Sequence, residues 1–331
     1  MIHRREFIKT ASAAALITAL GRGITFAQSP GDIPRRVLGH TGEHLSLMGV
    51  GGSHIGGWDL FESTAIRIVR TALDSGVNFL DNSWDYHDGT SEIRMGKALR
   101  DGYRAKAFLM TKLDGRTAQA ASQQLDQSLQ RLQTDHIDLV QIHEVIRMDD
   151  PERVFAPGGA IEALVNARKA GKIRYIGFTG HKSPEIHLHM LKVADQHGFL
   201  FDSVQMPLNV MDAHFESFTH KVLPVVVAKN IGALGMKSMG YGMILKSKTA
   251  TPDDCLKFAM NLPLTVCITG CDSMKILQQN LNVARNFMPL THDEVAAILA
   301  KTESVAANGQ YELYKTTTYF DGTTQNPKWL G

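Results

Sequence analysis

Short apolar runs alternate eight times with segments of helical period along this 331-residue chain, and that alternation restricts its fold more than any other feature. The runs SLMGVGG, NFLDNS, AFLMTK and DLVQIH precede helical patterns over 62–75, 91–100, 117–132 and 159–170. YIGFTG, SVQMPLN, GALGMKS and TVCITG precede patterns over 184–197, 213–229, 251–261 and 273–286. Runs this short and apolar read as strands buried on both faces, and strands separated by helices pair in parallel. Eight such units predict one closed (β/α)8 TIM barrel over residues 28–331, with its site at the carboxyl ends of the strands. A doubly wound sheet is the structural competitor. Against it, a dinucleotide fingerprint counted from Gly49 in the first run has His54 where its last glycine is needed.

Four polar residues stand at the ends of three successive predicted strands: Asp81 and Tyr86 in FLDNSWDY, Lys112 in AFLMTK and His143 in DLVQIH. A phenol with an ordinary pKa of about 10 is a poor proton donor at neutral pH. An ammonium such as that of Lys112 aimed at the tyrosine oxygen favours phenolate, and a carboxylate such as that of Asp81 holds the ammonium in place. His143 supplies a second donor for the oxygen on which charge develops when hydride reaches a carbonyl carbon. The chemistry these residue types suit is carbonyl reduction or its reverse.

With these residues the chain resembles the aldo-keto reductase family, whose catalytic tetrad is Asp, Tyr, Lys and His on a barrel. GVNFLDNSWDYHDGTSE (Gly76 to Glu92) is similar to that family's first signature and IDLVQIH (Ile137 to His143) to its fourth-strand signature. The resemblance runs from about Arg35 to the last helices. It implies an NAD(P)(H)-dependent oxidoreductase acting on an aldehyde, ketone or sugar carbonyl, with Tyr86 as general acid and His143 orienting the carbonyl. The competing reading is a barrel that keeps a nicotinamide mainly as a ligand and serves as a sensory or regulatory module.

The resemblance also implies where the cofactor, NADP or NAD, lies. Gly52 at the exit of the first strand borders its groove. Thr179 and His181 after strand five, with Gln205 at the end of strand six, occupy the positions that hold the carboxamide, and Gly180 stands where the family usually has Asn. Met236 takes the place of an aromatic ring against the nicotinamide, and Lys237 beside it is placed to meet the pyrophosphate. In TGCDSMKILQQN, Gln279 and Asn280 match adenine contacts, whereas Gly270 and Ile276 stand where a lysine and an arginine would clamp a 2′-phosphate. Phosphate is read by cations and forked donors, so a preference for NADP rests on Lys275 alone. Trp58 and Trp84, near the first two strand ends, are candidates for the substrate pocket. The C-terminal tail, 303–331, carries Tyr311, Tyr314, Tyr319, Phe320 and Trp329. Those rings either join that pocket or pack on the barrel side.

Residues 1–27 read as a twin-arginine export signal: Arg4 and Arg5 open RREFIK, a mildly apolar alanine-rich run follows, and Thr25 to Ala27 put small residues at a signal-peptidase site. Its loss leaves 31 basic and 32 acidic side chains of the 35 and 33 in the whole chain, so no basic surface for nucleic acid is expected. No other segment is long and apolar enough to span a membrane. The expectation is a periplasmic or secreted protein, exported by the twin-arginine machinery and acting on a small carbonyl or alcohol. The three cysteines, Cys255, Cys267 and Cys271, have no histidine spaced to complete a zinc site, and no metal is expected.

Overall fold

A computed structural model describes residues 24–25 and 31–331 of the chain. The export signal expected over 1–27 therefore lies outside the described residues, apart from Ile24 and Thr25. These two form β1 (Ile24–Thr25) and pair antiparallel with Arg36 and Arg35 of β2 (Arg35–Val37), which pairs in turn with β3 (His44–Ser46).

The eight expected runs form eight parallel strands, β4 (Met48–Gly51), β5 (Phe79–Asp81), β6 (Phe108–Leu113), β7 (Ile137–Ile142), β8 (Ile173–Thr179), β9 (Ser203–Pro207), β10 (Gly232–Met236) and β11 (Val266–Gly270). Each is hydrogen-bonded to the next and β11 returns to β4, which closes the barrel. The major helices are α1 (Glu62–Asp74), α2 (Thr90–Ala98), α3 (Ala118–Leu132), α4 (Ala160–Lys169), α5 (Pro184–Gln196), α6 (Leu223–Ala228), α7 (Pro252–Asn261), α8 (Met274–Arg285) and α9 (His292–Ala306).

Two apolar layers hold the strands. The larger lies between strands and helices, where Ile68, Val69, Leu80, Leu125, Ile142, Ile176 and Leu281 meet. The smaller fills the barrel, where Phe79, Phe108, Met110, Leu139, Leu234, Val266 and Ile268 pack with Leu38 and Leu45. The last two come from the β2–β3 hairpin, which plugs the amino-terminal end. Arg36 fastens the plug by donating to the carbonyls of Met260, Leu262 and Leu264 at 2.7–2.8 Å. All three cysteines are buried thiols that fill these layers.

The helix expected over 213–229 breaks into Phe218–Lys221 and α6. The cause is Asp212, whose buried carboxylate accepts from the backbone of Phe218 and Thr219 and from the Lys315 ammonium, so the chain turns around it before helix can start. The tail also differs at its start, since α9 continues to Ala306. From Tyr311 onward the chain crosses the carboxyl-end mouth of the barrel. Glu144 accepts from the backbone of Gly322 and Thr323 at 2.9 and 2.7 Å, Arg147 reaches Thr323 and Thr324, and the Leu330 carbonyl accepts from Arg116 at 2.8 Å. No helix among the described residues is long and apolar enough to cross a membrane.

Candidate active site

Parallel pairing brings the four polar strand-end residues together. Asp81 closes β5 opposite Met110 of β6, and Lys112 lies two residues further along the same strand, one face and one step above. Its ammonium is 1% exposed and donates to the Asp81 carboxylate, to the Asn82 carbonyl at 2.7 Å and to the Tyr86 oxygen at 3.2 Å. Tyr86 starts a tight turn in which His87 and Asp88 adopt left-handed backbone (φ 51° and 53°), and this swings the phenol back over the barrel. His143 follows β7 and stands edge-on to Tyr86, ring centroids 5.9 Å apart.

The electrostatics differ from the expected ones. Burial raises the Tyr86 pKa well above 10, and the carboxylates of Asp81, Asp85 and Glu144 raise it further. Lys112 does not reverse this because its charge is engaged by Asp81. The sequence-based expectation of a phenol tuned downward is thus corrected to one that stays protonated in the free protein.

His143 carries the mobile charge instead. Its Nδ1 lies 3.0 Å from Asp114 Oδ1, 3.2 Å from Ser83 Oγ and 3.4 Å from Asp85 Oδ1. Burial disfavours an imidazolium, but the charges of Asp85 and Asp114 outweigh it and push the pKa up to about 10. Asp114, buried and beside Asp85, is itself pushed up to about 6. Neither acid was singled out in the sequence. Ligand atoms of Asp85, Asp114 and His143 lie within 4.8 Å of one another, the one such group among the described residues. The His143–Asp114 hydrogen bond, made through Nδ1, accounts for that closeness.

The expected carboxamide positions also converge. Thr179 and Gln205 are paired neighbours on β8 and β9. Thr179 Oγ1 and Gln205 Oε1 are both buried without a hydrogen-bond partner, while Gln205 Nε2 leans on Asp81 at 3.4 Å. Buried polar atoms left without a partner by the chain are ordinarily met by water or by a bound molecule. His181 does not join them. Its Nε2 is taken by Asp321 of the tail at 3.1 Å, and burial together with the Lys237 charge lowers its pKa to about 4, so the ring is neutral. Gly180 has no room for the usual amide, since a Cβ there would meet the Val145 carbonyl at 2.2 Å.

Toward β11 the groove is rebuilt. A Cβ on Gly270 would strike the His54 ring at 2.3 Å, and His54 stacks on Tyr241 (5.2 Å), whose hydroxyl meets Ser53 Oγ at 2.6 Å. The loop after β10 is thereby tied to the segment after β4. Burial lowers the His54 pKa, so this ring is not a cation, and the charge of Asp272 lies nearby. Lys275 is exposed, Ile276 and Gln279 are half-buried, and the Asn280 amide turns toward the Gly270 carbonyl and Cys271. Gly52 is fixed by packing, because a Cβ would lie 2.6 Å from the Asp81 carbonyl. Met236 is half-buried at the mouth, its sulfur 3.8 Å from the Lys237 ammonium.

Of the two tryptophans, Trp58 is 70% exposed and edge-on to His87, while Trp84 donates to Gln127 at 2.7 Å and packs on Trp329. Trp84 thus supports the tail. The tail rings nearest the mouth are Tyr314, fully buried, and Phe320.

Residues 47–257 match the model of the aldo/keto reductase family. The chain belongs to that family. It is 31% identical over 216 residues to aldo-keto reductase YhdN of Bacillus subtilis, a match spanning 62% of this chain and only 60% of that protein. Identity to the L-galactose dehydrogenase of Arabidopsis thaliana is 27% over 299 residues, spanning 83% and 85% of the two chains. Among solved structures, the holo form of aldo-keto reductase AKR11C1 from Bacillus halodurans superposes with a TM-score of 0.68 at 22% identity, covering 84% of this chain and 99% of that one. That likeness shows the fold.

The pairing of His143 has a measurable pH signature. Its folded pKa of about 10 exceeds the roughly 6.5 of an unfolded imidazole, so the pairing contributes stability that is complete below about pH 6.5 and is lost as pH rises through about 10. In nitrogen-labelled protein the His143 ring should stay doubly protonated from pH 7 to 9, and Asp114→Asn should lower its midpoint by about one unit or more. A neutral His143 ring at pH 7 in the wild type would show that the two acids do not hold its proton.

Proposed function

We propose that the protein is an NAD(P)(H)-dependent oxidoreductase that moves hydride between a nicotinamide and an aldehyde, ketone or sugar carbonyl. The observation that carries this reading is the Lys112 ammonium shared between Asp81 and Tyr86, with His143 facing the same phenol. The paired, unsatisfied Thr179 hydroxyl and Gln205 carbonyl fit a nicotinamide carboxamide, one as donor and the other as acceptor.

A reduced nicotinamide, when bound, supplies the hydride. The chain's residues handle the oxygen. Tyr86 donates to the carbonyl oxygen and gives up its proton as charge develops there. Lys112 stabilises the phenolate that results, while Asp81 and the Asn82 carbonyl hold the ammonium at 1% exposure where it is not screened by water. His143, oriented through Nδ1 by Asp114, presents Nε2–H as the second donor. The raised Tyr86 pKa fits a phenol that holds its proton until an oxyanion demands it. Tyr86→Phe keeps the ring's packing and removes the proton, and should lower kcat for aldehyde reduction about 100- to 1,000-fold while leaving the thermal midpoint near the wild-type value. Steady-state kinetics with a panel of aldehydes check this, and a wild-type rate in the variant would sink the assignment. No turnover of any aldehyde with either nucleotide, alongside tight nucleotide binding, would favour the sensory reading.

The groove at β11 supports discrimination against a 2′-phosphate. Gly270 and Ile276 bring no cation, the His54 ring against Gly270 is neutral, and Asp272 adds negative charge. NADPH should therefore bind no more tightly than NADH, as read by fluorescence titration. Each charge-assisted hydrogen bond to a phosphate contributes roughly 1.5 to 3 kcal/mol, about 10- to 100-fold in affinity. A preference for NADPH of that size would mean that Lys275 or another cation has taken over.

We also propose that the protein is exported folded through the twin-arginine route, carrying its nicotinamide with it. The arginine pair before the alanine-rich run supports the route, and the Tyr241–Ser53 and Tyr241–His54 contacts support a loop that covers bound nucleotide. Replacing Arg4 and Arg5 by Lys should leave the protein in the cytoplasmic fraction, whereas the wild-type periplasmic fraction should release nucleotide on denaturation. Equal periplasmic levels of both forms would refute the route, and nucleotide-free periplasmic protein would refute retention.

A further inference from the structure

Lys237 stands apart from the other charged residues at the barrel mouth. It is the first residue after β10 and holds left-handed backbone (φ 57°), fixed there by Asn209 Nδ2 and Gly240 N, which donate to its carbonyl at 3.3 and 2.9 Å. A lysine kept in a conformation that suits glycine marks a position where surrounding structure outweighs local strain. Its ammonium lies over the rings of Tyr314 and Phe320, 5.3 and 5.9 Å from their centroids. Apart from the Met236 sulfur, no polar partner holds it, and no carboxylate pairs with it among the described residues.

Acids are near enough to act on it, but each is engaged elsewhere. Glu144 accepts from the backbone of Gly322 and Thr323, Asp321 is shared by His181 and Lys182, and Asp81 is taken by Lys112. The charged groups that Lys237 feels, Glu144, Lys112, Asp81 and Asp321, lie at the ends of strands β5 to β7 and on the tail. The ammonium is thus directed onto the tail rings, and burial lowers its pKa to about 8.

We infer that Lys237, boxed by Tyr314 and Phe320 beside the Asp81–Lys112–Tyr86 cluster, binds a carboxylate carried by the carbonyl substrate. The inference rests on the reductase reading and narrows its substrate class. A monoanion fits better than a phosphate, because the ammonium is a single charge and the fixed acids Glu144 and Asp321 stand close enough to repel a dianion. The aromatic faces favour a cation and accept an apolar stem between the carboxylate and the carbonyl. This differs from the expected pyrophosphate contact of Lys237.

The test pairs each acid with its neutral amide: glyoxylate, 4-oxobutanoate and 4-formylbenzoate against their primary amides, with NADH and NADPH in turn. The wild type should prefer at least one acid by about 10- to 100-fold in kcat/KM, mainly through KM, as one charge-assisted hydrogen bond allows. Lys237→Gln should bring the acid-to-amide ratio close to one. Amides reduced as well as all three acids by the wild type would overturn the inference while leaving the reductase reading intact. So would a loss in Lys237→Gln that is equal for acids and amides and matched by weaker nucleotide binding, which would assign Lys237 to the cofactor. A second measurement needs no turnover. Calorimetric titration of benzoate into nucleotide-saturated protein should show binding that weakens at least about tenfold in Lys237→Gln, and equal binding by both proteins would overturn the inference even if no aldehyde were reduced.

Discussion

The ammonium of Lys112 is the constraint around which the barrel mouth is organised. A charge at 1% exposure is tolerable only if paired and hydrogen-bonded, and removing one partner of such a buried pair typically costs about 3–5 kcal/mol. The register of β5 against β6 supplies Asp81 and the Asn82 carbonyl on one side. The third direction is left to the Tyr86 oxygen. The phenol is therefore placed by the same contacts that make the lysine's burial possible, so that stability and positioning are one requirement rather than two.

Around that centre the acids are held by groups that come from distant parts of the chain. Asp114 and Asp85 share His143, Asp150 takes the fully buried Arg116, and Asp212 takes Lys315. Glu144 holds the tail to the loop after β7, and Asp321 holds it to the loop after β8. In a low-dielectric mouth a charge lacking its partner would be costly. This local neutrality makes the state of Lys237 informative, because it is the ammonium there that faces aromatic carbon in place of a carboxylate.

Much of the fold was legible because burial on both faces writes itself into strand sequence. SLMGVGG through TVCITG could be located by apolarity alone: five of the eight strands fall within those runs, and β6, β7 and β8 overrun theirs by one or two residues. Asp81, Tyr86, Lys112 and His143 were legible because strand ends are visible and their chemistry is specific. Asp85 and Asp114 were not, since an acid beside a strand end carries no mark of which histidine it will meet 58 or 29 residues on. The break in the helix expected over 213–229 was hidden for the same reason: Asp212 binds Lys315, 103 residues away. The path of the tail depended on Glu144 and Asp321 pairings across 140 residues or more, which leave no periodic trace.

Two glycine substitutions looked, in sequence, like simple losses from a cofactor site, and the structure gives them a different meaning. At Gly180 the space of the missing amide is filled by the Val145 carbonyl, and at Gly270 the space of the missing cation is filled by the His54 ring. Restoring Asn at 180 or Lys at 270 would therefore not restore a contact; it would collide with backbone in the first case and unseat the His54–Tyr241 stack in the second. The stack is what ties the loop after β10 to the segment after β4. At β11 the walls contact each other through His54, Tyr241 and Ser53. With the walls at β11 occupied by each other, the buried polar atoms left without a partner on β8 and β9 are Thr179 Oγ1 and Gln205 Oε1, and the ammonium left without a carboxylate at the mouth is that of Lys237, so the groups free to meet a bound molecule lie toward the phenol and not at β11.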